Sequence, residues 1–209
     1  MNKTFDKFIS TIFYSISAGI LIGLSGYIYL HCKNEYVGAF LFSIGLTAVC
    51  IYHLNLYTGM IGYLISKENK ILYLLQLIFV IFGNFAGCQL MACLPLSEYS
   101  TSMLNEMIQY KTSLMPFEIL SKSFLCGIII HIAVDIYKSK KSLLGVLLCV
   151  PAFILSKMEH SIANMYYFCA TNSIEINFIF ICIVGNAIGA WFINIFIPTQ
   201  KQNLQTRKE

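Results

Sequence analysis

The chain has 209 residues, of which 57% are hydrophobic and only 11% charged, with a mean hydropathy of +0.71. Soluble domains carry about 25% charged residues, so the composition is that of an integral membrane protein, with room for about five to seven spans and no soluble domain. The formal net charge of +4 lies in short loops and tails, which excludes a nucleic-acid partner and points instead to membrane topology.

Lys3 and Lys7 precede an uncharged run over residues 8–30. No small-residue cleavage site follows it, so a retained first span is expected. Residues 36–65 are uncharged and too long for one simple span. In their middle, His53-Leu54-Asn55-Leu56-Tyr57-Thr58-Gly59 brings polar groups and a glycine, the mark of a helix interrupted inside protein. Residues 71–97 form the third span, and a loose polar loop is expected over 98–113. Residues 116–137 form the fourth span, with Glu118 and Lys122 near its start and His131 within it. Residues 142–168 form the fifth. It contains Lys157, Glu159 and His160, and ionisable groups at membrane depth face a pore or cavity. Ser161 and Asn164 follow, so this span too is expected to stop and restart inside the membrane. Residues 176–200 form the sixth span, before a basic tail. Eight cysteines are scattered through these runs with no Cys-x-x-Cys pair, and reduced, packed thiols are expected.

Six spans place both termini on one side. Lys3, Lys7, Lys67, Lys70, Lys138, Lys140, Lys141, Lys201, Arg207 and Lys208 fall on that side, against Lys33 and Lys111 on the other. Both termini are therefore expected in the cytoplasm, with the chain a multi-pass protein of the cell membrane. An internal repeat is present. Gly83-Asn84-Phe85-Ala86-Gly87 recurs as Gly185-Asn186-Ala187-Ile188-Gly189, and the same offset of 102 residues carries Thr58 onto His160. Halves of three spans each must be inverted relative to one another. The expectation is one all-α transmembrane domain over residues 1–209, built from inverted repeats at about 8–97 and 114–200, with broken second and fifth helices and a transport path between the breaks.

Glu159-His160-Ser161-Ile162-Ala163-Asn164-Met165-Tyr166 resembles the signature of the formate/nitrite transporter family. Leu56-Tyr57-Thr58-Gly59 resembles that family's second signature, and Phe42-Ser43-Ile44-Gly45 and the two Gly-Asn motifs match in order and spacing, so the resemblance runs over residues 18–198. It implies an aquaporin-like fold, a homopentamer in the lipid bilayer with one pore per subunit, and passage of formate, nitrite, hydrosulfide, acetate or lactate. It also implies roles by position. His160 matches the central pore histidine, Thr58 the threonine bonded to it, and Asn186 an asparagine beside them. Phe42, Leu46 and Phe153 match apolar constrictions, and Leu56 and Tyr57 the loop residues that narrow the other side. Glu159 matches an acid that ties the broken helix to neighbouring backbone, Asn164 shares its signature, and Lys111 stands near the place of a vestibule lysine. The chain departs from the family pattern at three points. Asn55 and Met60 replace an acid and an asparagine around the second signature, His131 replaces a pore-facing asparagine, and Lys157-Met158 replaces Gly-Phe.

An anion crossing a hydrocarbon layer about 30 Å thick meets a large desolvation cost. Lysines at a vestibule attract it, and low dielectric raises the pKa of a weak acid, so a proton lets it pass neutral. His160 has three open roles: proton donor, neutral hydrogen-bond donor, or charged anion holder. His131 is either a second titrating pore group or a packed core residue, and Lys157 pairs with Asp135 or Glu159, snorkels, or gates. No two histidines stand at i, i+3 or i, i+4, so neither a metal site nor a cofactor is expected, and neither is enzymatic activity. A neutral-solute channel is disfavoured because paired Asn-Pro-Ala motifs are missing from the sequence.

Overall fold

The structure, a computed structural model, describes residues 3–197 and the side chains of residues 8–197. Lys201, Arg207 and Lys208 of the topology pattern, and the side chains of Lys3 and Lys7, lie outside what is described. The described residues form helices joined by short turns and irregular stretches, without strands. Four helices are long and apolar enough to cross a membrane: α1 (Lys3–His31, apolar from Phe8), α4 (Lys70–Ala92), α6 (Pro116–Lys140) and α9 (Ile176–Phe196). At 1.5 Å per residue, 23 residues rise about 35 Å, enough for the hydrocarbon layer. Two shorter apolar helices, α2 (Glu35–Ile51) and α7 (Leu144–Leu155), rise only about 26 and 18 Å. Each is followed by a break and a second piece. After α2 come a single turn, α3 (Tyr57–Met60), and a 3₁₀ segment (Ile61–Ser66). After α7 comes α8 (Ser161–Ala170).

The two breaks are built alike. The Leu54 amide bonds the Val49 carbonyl and the His53 amide bonds Cys50; after α7, Met158 bonds Phe153 and Lys157 bonds Ile154. Both are Schellman closures, which need a left-handed residue one place past the cap. That residue is His53 (φ 54°) in one and Lys157 (φ 50°) in the other. Local signals start the intact helices: the Asn34 and Asn69 side chains accept from Val37 and Leu72 amides as N-caps of α2 and α4.

One expectation is corrected. Residues 98–113 are not a loose loop. They form α5 (Glu98–Thr112), capped by Ser97, whose hydroxyl accepts from the Ser100 amide. Of its side chains Leu104 and Lys111 are buried, Met103, Met107 and Ile108 pack half-buried against the core, and most of its remaining residues are polar. The third span also ends earlier than expected, at Ala92, ahead of Pro95.

Small residues hold the long helices together in two matching pairs. α1 crosses α4 with Ser15 against Gly83 and Gly19 against the backbone of Asn84; α6 crosses α9 with Ser123 against Gly185 and Gly127 against the backbone of Asn186. In each pair the small residues stand four apart on both helices, a spacing that lets backbones approach closely within a membrane. A Cβ at Gly87 would strike the Ile16 carbonyl oxygen, and one at Gly189 the Phe124 carbonyl oxygen. At Gly59 the nearest atom would be a Val134 methyl at 3.4 Å, an ordinary contact. Gly87→Ala and Gly189→Ala are therefore expected to lower the thermal unfolding midpoint in detergent by about 5–10 °C, and Gly59→Ala to leave it nearly unchanged.

Candidate functional site: a cavity ending at His160

An irregular stretch inside apolar protein leaves backbone groups that water does not satisfy. Two asparagines satisfy them here. Asn84 Oδ1 accepts from the Tyr57 amide at 3.0 Å, and its Nδ2 donates to the Asn55 and Ser15 carbonyls at 2.8 Å each. Asn186 repeats the pattern. Its Oδ1 accepts from the Ser161 amide at 2.9 Å, and its Nδ2 donates to the Glu159 and Ser123 carbonyls at 2.9 and 2.8 Å. Both side chains are fully buried. Asn186, expected to belong to the substrate path, thus spends its carboxamide on backbone on either side of His160. Asn84 does the same beside Thr58. The repeated Gly-Asn motif held the signal for Asn84, although its role is visible only in the bonds.

His160 is the N-cap of α8, and its Nδ1 accepts from the Ala163 amide at 3.1 Å. With Nδ1 accepting, the ring carries its proton on Nε2. Nε2 stands 2.8 Å from Thr58 Oγ1 and so donates to it. The structure therefore joins His160 and Thr58, the residues matched by the 102-residue offset. The Phe153 ring stacks on the imidazole at 5.7 Å, and Phe42 packs edge-on against Phe153 at 5.8 Å. Phe42, Leu46, Leu56 and Tyr57 are all buried. The Tyr57 hydroxyl is tied to the Ile183 carbonyl at 3.1 Å.

A cavity of about 430 Å³ leads to this point from the Lys33 side of the protein. Lys33, Glu35 and Glu106 line it together with Tyr29 and Tyr167, and Phe153 and His160 are among its walls. Lys111 and Glu159 form a buried ion pair in its wall, Nζ to Oε2 at 2.5 Å. The same carboxylate oxygen accepts from Asn164 Nδ2 at 2.9 Å. Lys111 thus lines the cavity with its charge paired to Glu159. Glu159 differs from expectation, since its carboxylate meets two side chains rather than neighbouring backbone. Its main chain makes the backbone ties, donating to the Lys122 carbonyl at 3.4 Å and accepting from Asn186.

His131 stands apart from the cavity wall. It packs on Gly62 and on the Tyr63 ring at 5.2 Å and is buried, with neither ring nitrogen bonded to another described residue. Tyr63 in turn donates to Asp135 at 3.2 Å. Lys157 pairs with neither Asp135 nor Glu159; its ammonium lies 5.2 Å from the centre of the Tyr110 ring. All eight cysteines are free.

The family model described as "Formate/nitrite transporter" matches residues 1–199. Among solved structures, one described as "Pentameric formate channel with formate bound" aligns with a TM-score of 0.76 at 22% identity, covering 94% of this chain and 100% of that one. Another, "FNT family ion channel", aligns with a TM-score of 0.70 at 20% identity, over 95% and 89%. The chain thus shares the fold of both. No curated protein matches it in sequence.

Breaking a buried ion pair from one side strands the other charge, at a cost of about 3–5 kcal/mol. Lys111→Met is therefore expected to lower the unfolding midpoint in detergent by about 10 °C. Adding Glu159→Gln is expected to restore most of that loss, because the amide needs no counter-charge. A thermal unfolding series on the two variants and the wild type checks both.

Proposed function

The chain belongs to the formate/nitrite transporter family, a family of transporters and not of enzymes, and from that membership and the geometry at His160 we propose that it passes small monovalent weak-acid anions, formate foremost. The observation that carries this reading is the His160 imidazole at the end of a cavity, with Nε2 on Thr58 and the Phe153 ring against it. In the proposed architecture the chain crosses the cell membrane six times as two inverted triplets, with α2 and α7 and their second pieces as the broken crossings and both termini cytoplasmic. The matched Schellman closures, the matched asparagine clamps and the matched small-residue crossings support that inversion. The pentameric solved channel of the same fold supports a homopentamer.

The proposed mechanism follows from the N-cap. The Nε2 proton has one partner, Thr58, and an arriving anion competes for it. His160 then acts as a neutral hydrogen-bond donor. It does not give that proton away, since that would leave an imidazolate in apolar surroundings. A second proton on the ring would have to sit on Nδ1 and would break the bond from Ala163. The proton that neutralises the anion therefore comes from the bulk solution, relayed through water in the cavity, as low dielectric raises the acid's own pKa. Phe42, Leu46 and Phe153 admit the neutral acid, with Leu56 and Tyr57 narrowing the far side. Glu159, Asn164 and Lys111 hold the cavity wall, and Asn186 holds the backbone that aims His160.

Hydrosulfide or nitrite is a second reading within the same class. It is favoured by His131, which puts an imidazole, packed on Tyr63, where the family pattern has an asparagine. A flux comparison among formate, nitrite and hydrosulfide separates the two readings.

Formate uptake into proteoliposomes tests the function. The rate is expected to rise steeply as pH falls from about 7 to about 5, because the neutral fraction grows about tenfold per pH unit. A hydrogen bond to a charged partner contributes about 1.5–3 kcal/mol, so His160→Ala is expected to slow flux at least about tenfold. Unchanged flux in that variant would refute the mechanism, and no flux of any small weak acid by the wild type would refute the function.

A further inference from the structure

Lys157 is unexplained by the path described so far. It occupies the left-handed position of the closure that ends α7, with φ 50°. Glycine reaches that conformation freely and a side chain with a Cβ does so rarely. The departure from the family's Gly-Phe pattern therefore installs a lysine where the backbone would accept its absence. The side chain lines the cavity, three residues before His160.

Lys122, from α6, meets the same loop. Its ammonium donates to the Lys157 carbonyl at 3.3 Å. Both ammonium groups then approach one ring, Tyr110 of α5, at 5.8 Å for Lys122 and 5.2 Å for Lys157. Among the described residues neither ammonium forms an ion pair with a carboxylate. The acids nearby in the cavity wall are placed otherwise: Glu159 is occupied by Lys111 and Asn164, and Glu35 and Glu106 make no ion pair with either lysine. Two like charges at one aromatic ring repel each other, and the ring's quadrupole offsets only part of that. An anion near both relieves the rest.

We propose that Lys157 in the cavity wall, with Lys122 behind it on the Lys157 carbonyl and at the Tyr110 ring, forms an anion-collecting site that holds a small monocarboxylate before it reaches His160. The proposal rests on the transport function above. It assigns a cationic site in addition to Lys33 and to Lys111, whose charge is spent on Glu159. The site raises the local anion concentration above the central imidazole, and its pull weakens as salt screens it.

The test uses the full chain in proteoliposomes at low and high ionic strength. Lys157→Gly suits the backbone, so it is expected to fold with an unfolding midpoint no lower than that of the wild type. It is expected to raise the half-saturating formate concentration about three- to tenfold at low salt, more than it lowers the plateau, and to flatten the salt dependence. Lys157→Arg is expected to keep wild-type behaviour, and Lys122→Gln to shift half-saturation in the same direction as Lys157→Gly. Wild-type half-saturation and salt dependence in Lys157→Gly would overturn the proposal. Line broadening of ¹³C-formate by the detergent-solubilised protein reads binding without flux. If no variant transports any weak acid, the transport function fails; a loss of broadening in Lys157→Gly still supports the site, and equal broadening in both proteins, or none in the wild type, overturns it.

Discussion

Backbone polar groups inside apolar protein must find partners, and two asparagine side chains supply them where the helices are broken. Asn84 and Asn186 each take one amide and two carbonyls. Each such bond replaces one that water would otherwise make, and leaving a buried group unpaired costs about 1–3 kcal/mol. The clamps therefore decide whether α2 and α7 can stop short and resume. They also bind three parts of the chain into one unit: a long helix, its crossing partner and the break between the pieces. Gly19 and Gly127 let the crossing helices come close enough for the asparagines to reach.

The position of His160 follows from this constraint. Asn186 fixes Glu159 and Ser161 on either side of it, so the ring starts α8 as its cap. The cap fixes which nitrogen is free, and the free nitrogen meets Thr58, which Asn84 has placed through Tyr57. One hydrogen-bond donor thus ends a cavity in whose wall Lys111 and Glu159 neutralise each other. Against Phe153 and Phe42 the imidazole is a polar point beside apolar rings. Under the proposed function, such a point aids a weak acid that sheds its charge on the way and offers little to an ion that keeps it.

Much of this was legible in the sequence because the breaks interrupt long apolar runs. His53 to Gly59 and Lys157 to Asn164 stand out against uncharged neighbours, and the offset of 102 residues joins Thr58 to His160 without any structure. The Gly-Asn repeat was visible too, but its meaning was not. An asparagine's partners on the main chain leave no trace in its own neighbourhood, so the clamp that Asn186 makes could not be read from the sequence. Helix α5 escaped because it is polar on most faces, and its start depends on the single cap Ser97. The ion pair of Lys111 with Glu159 joins residues 48 apart on different helices, beyond the reach of any periodicity. The left-handed backbone at Lys157 was equally hidden, since lysine does not announce a positive φ as glycine does.

The central claim is that the cap holds His160 in one tautomer, with Nδ1 as acceptor and the proton on Nε2. Solid-state ¹⁵N NMR of histidine-labelled protein in bilayers reads this directly, with the His160 signals identified by their loss in His160→Ala. The account predicts an unprotonated Nδ1 and a protonated Nε2 at neutral pH, with formate present or absent. A protonated Nδ1, whether in the other tautomer or in an imidazolium, would contradict it.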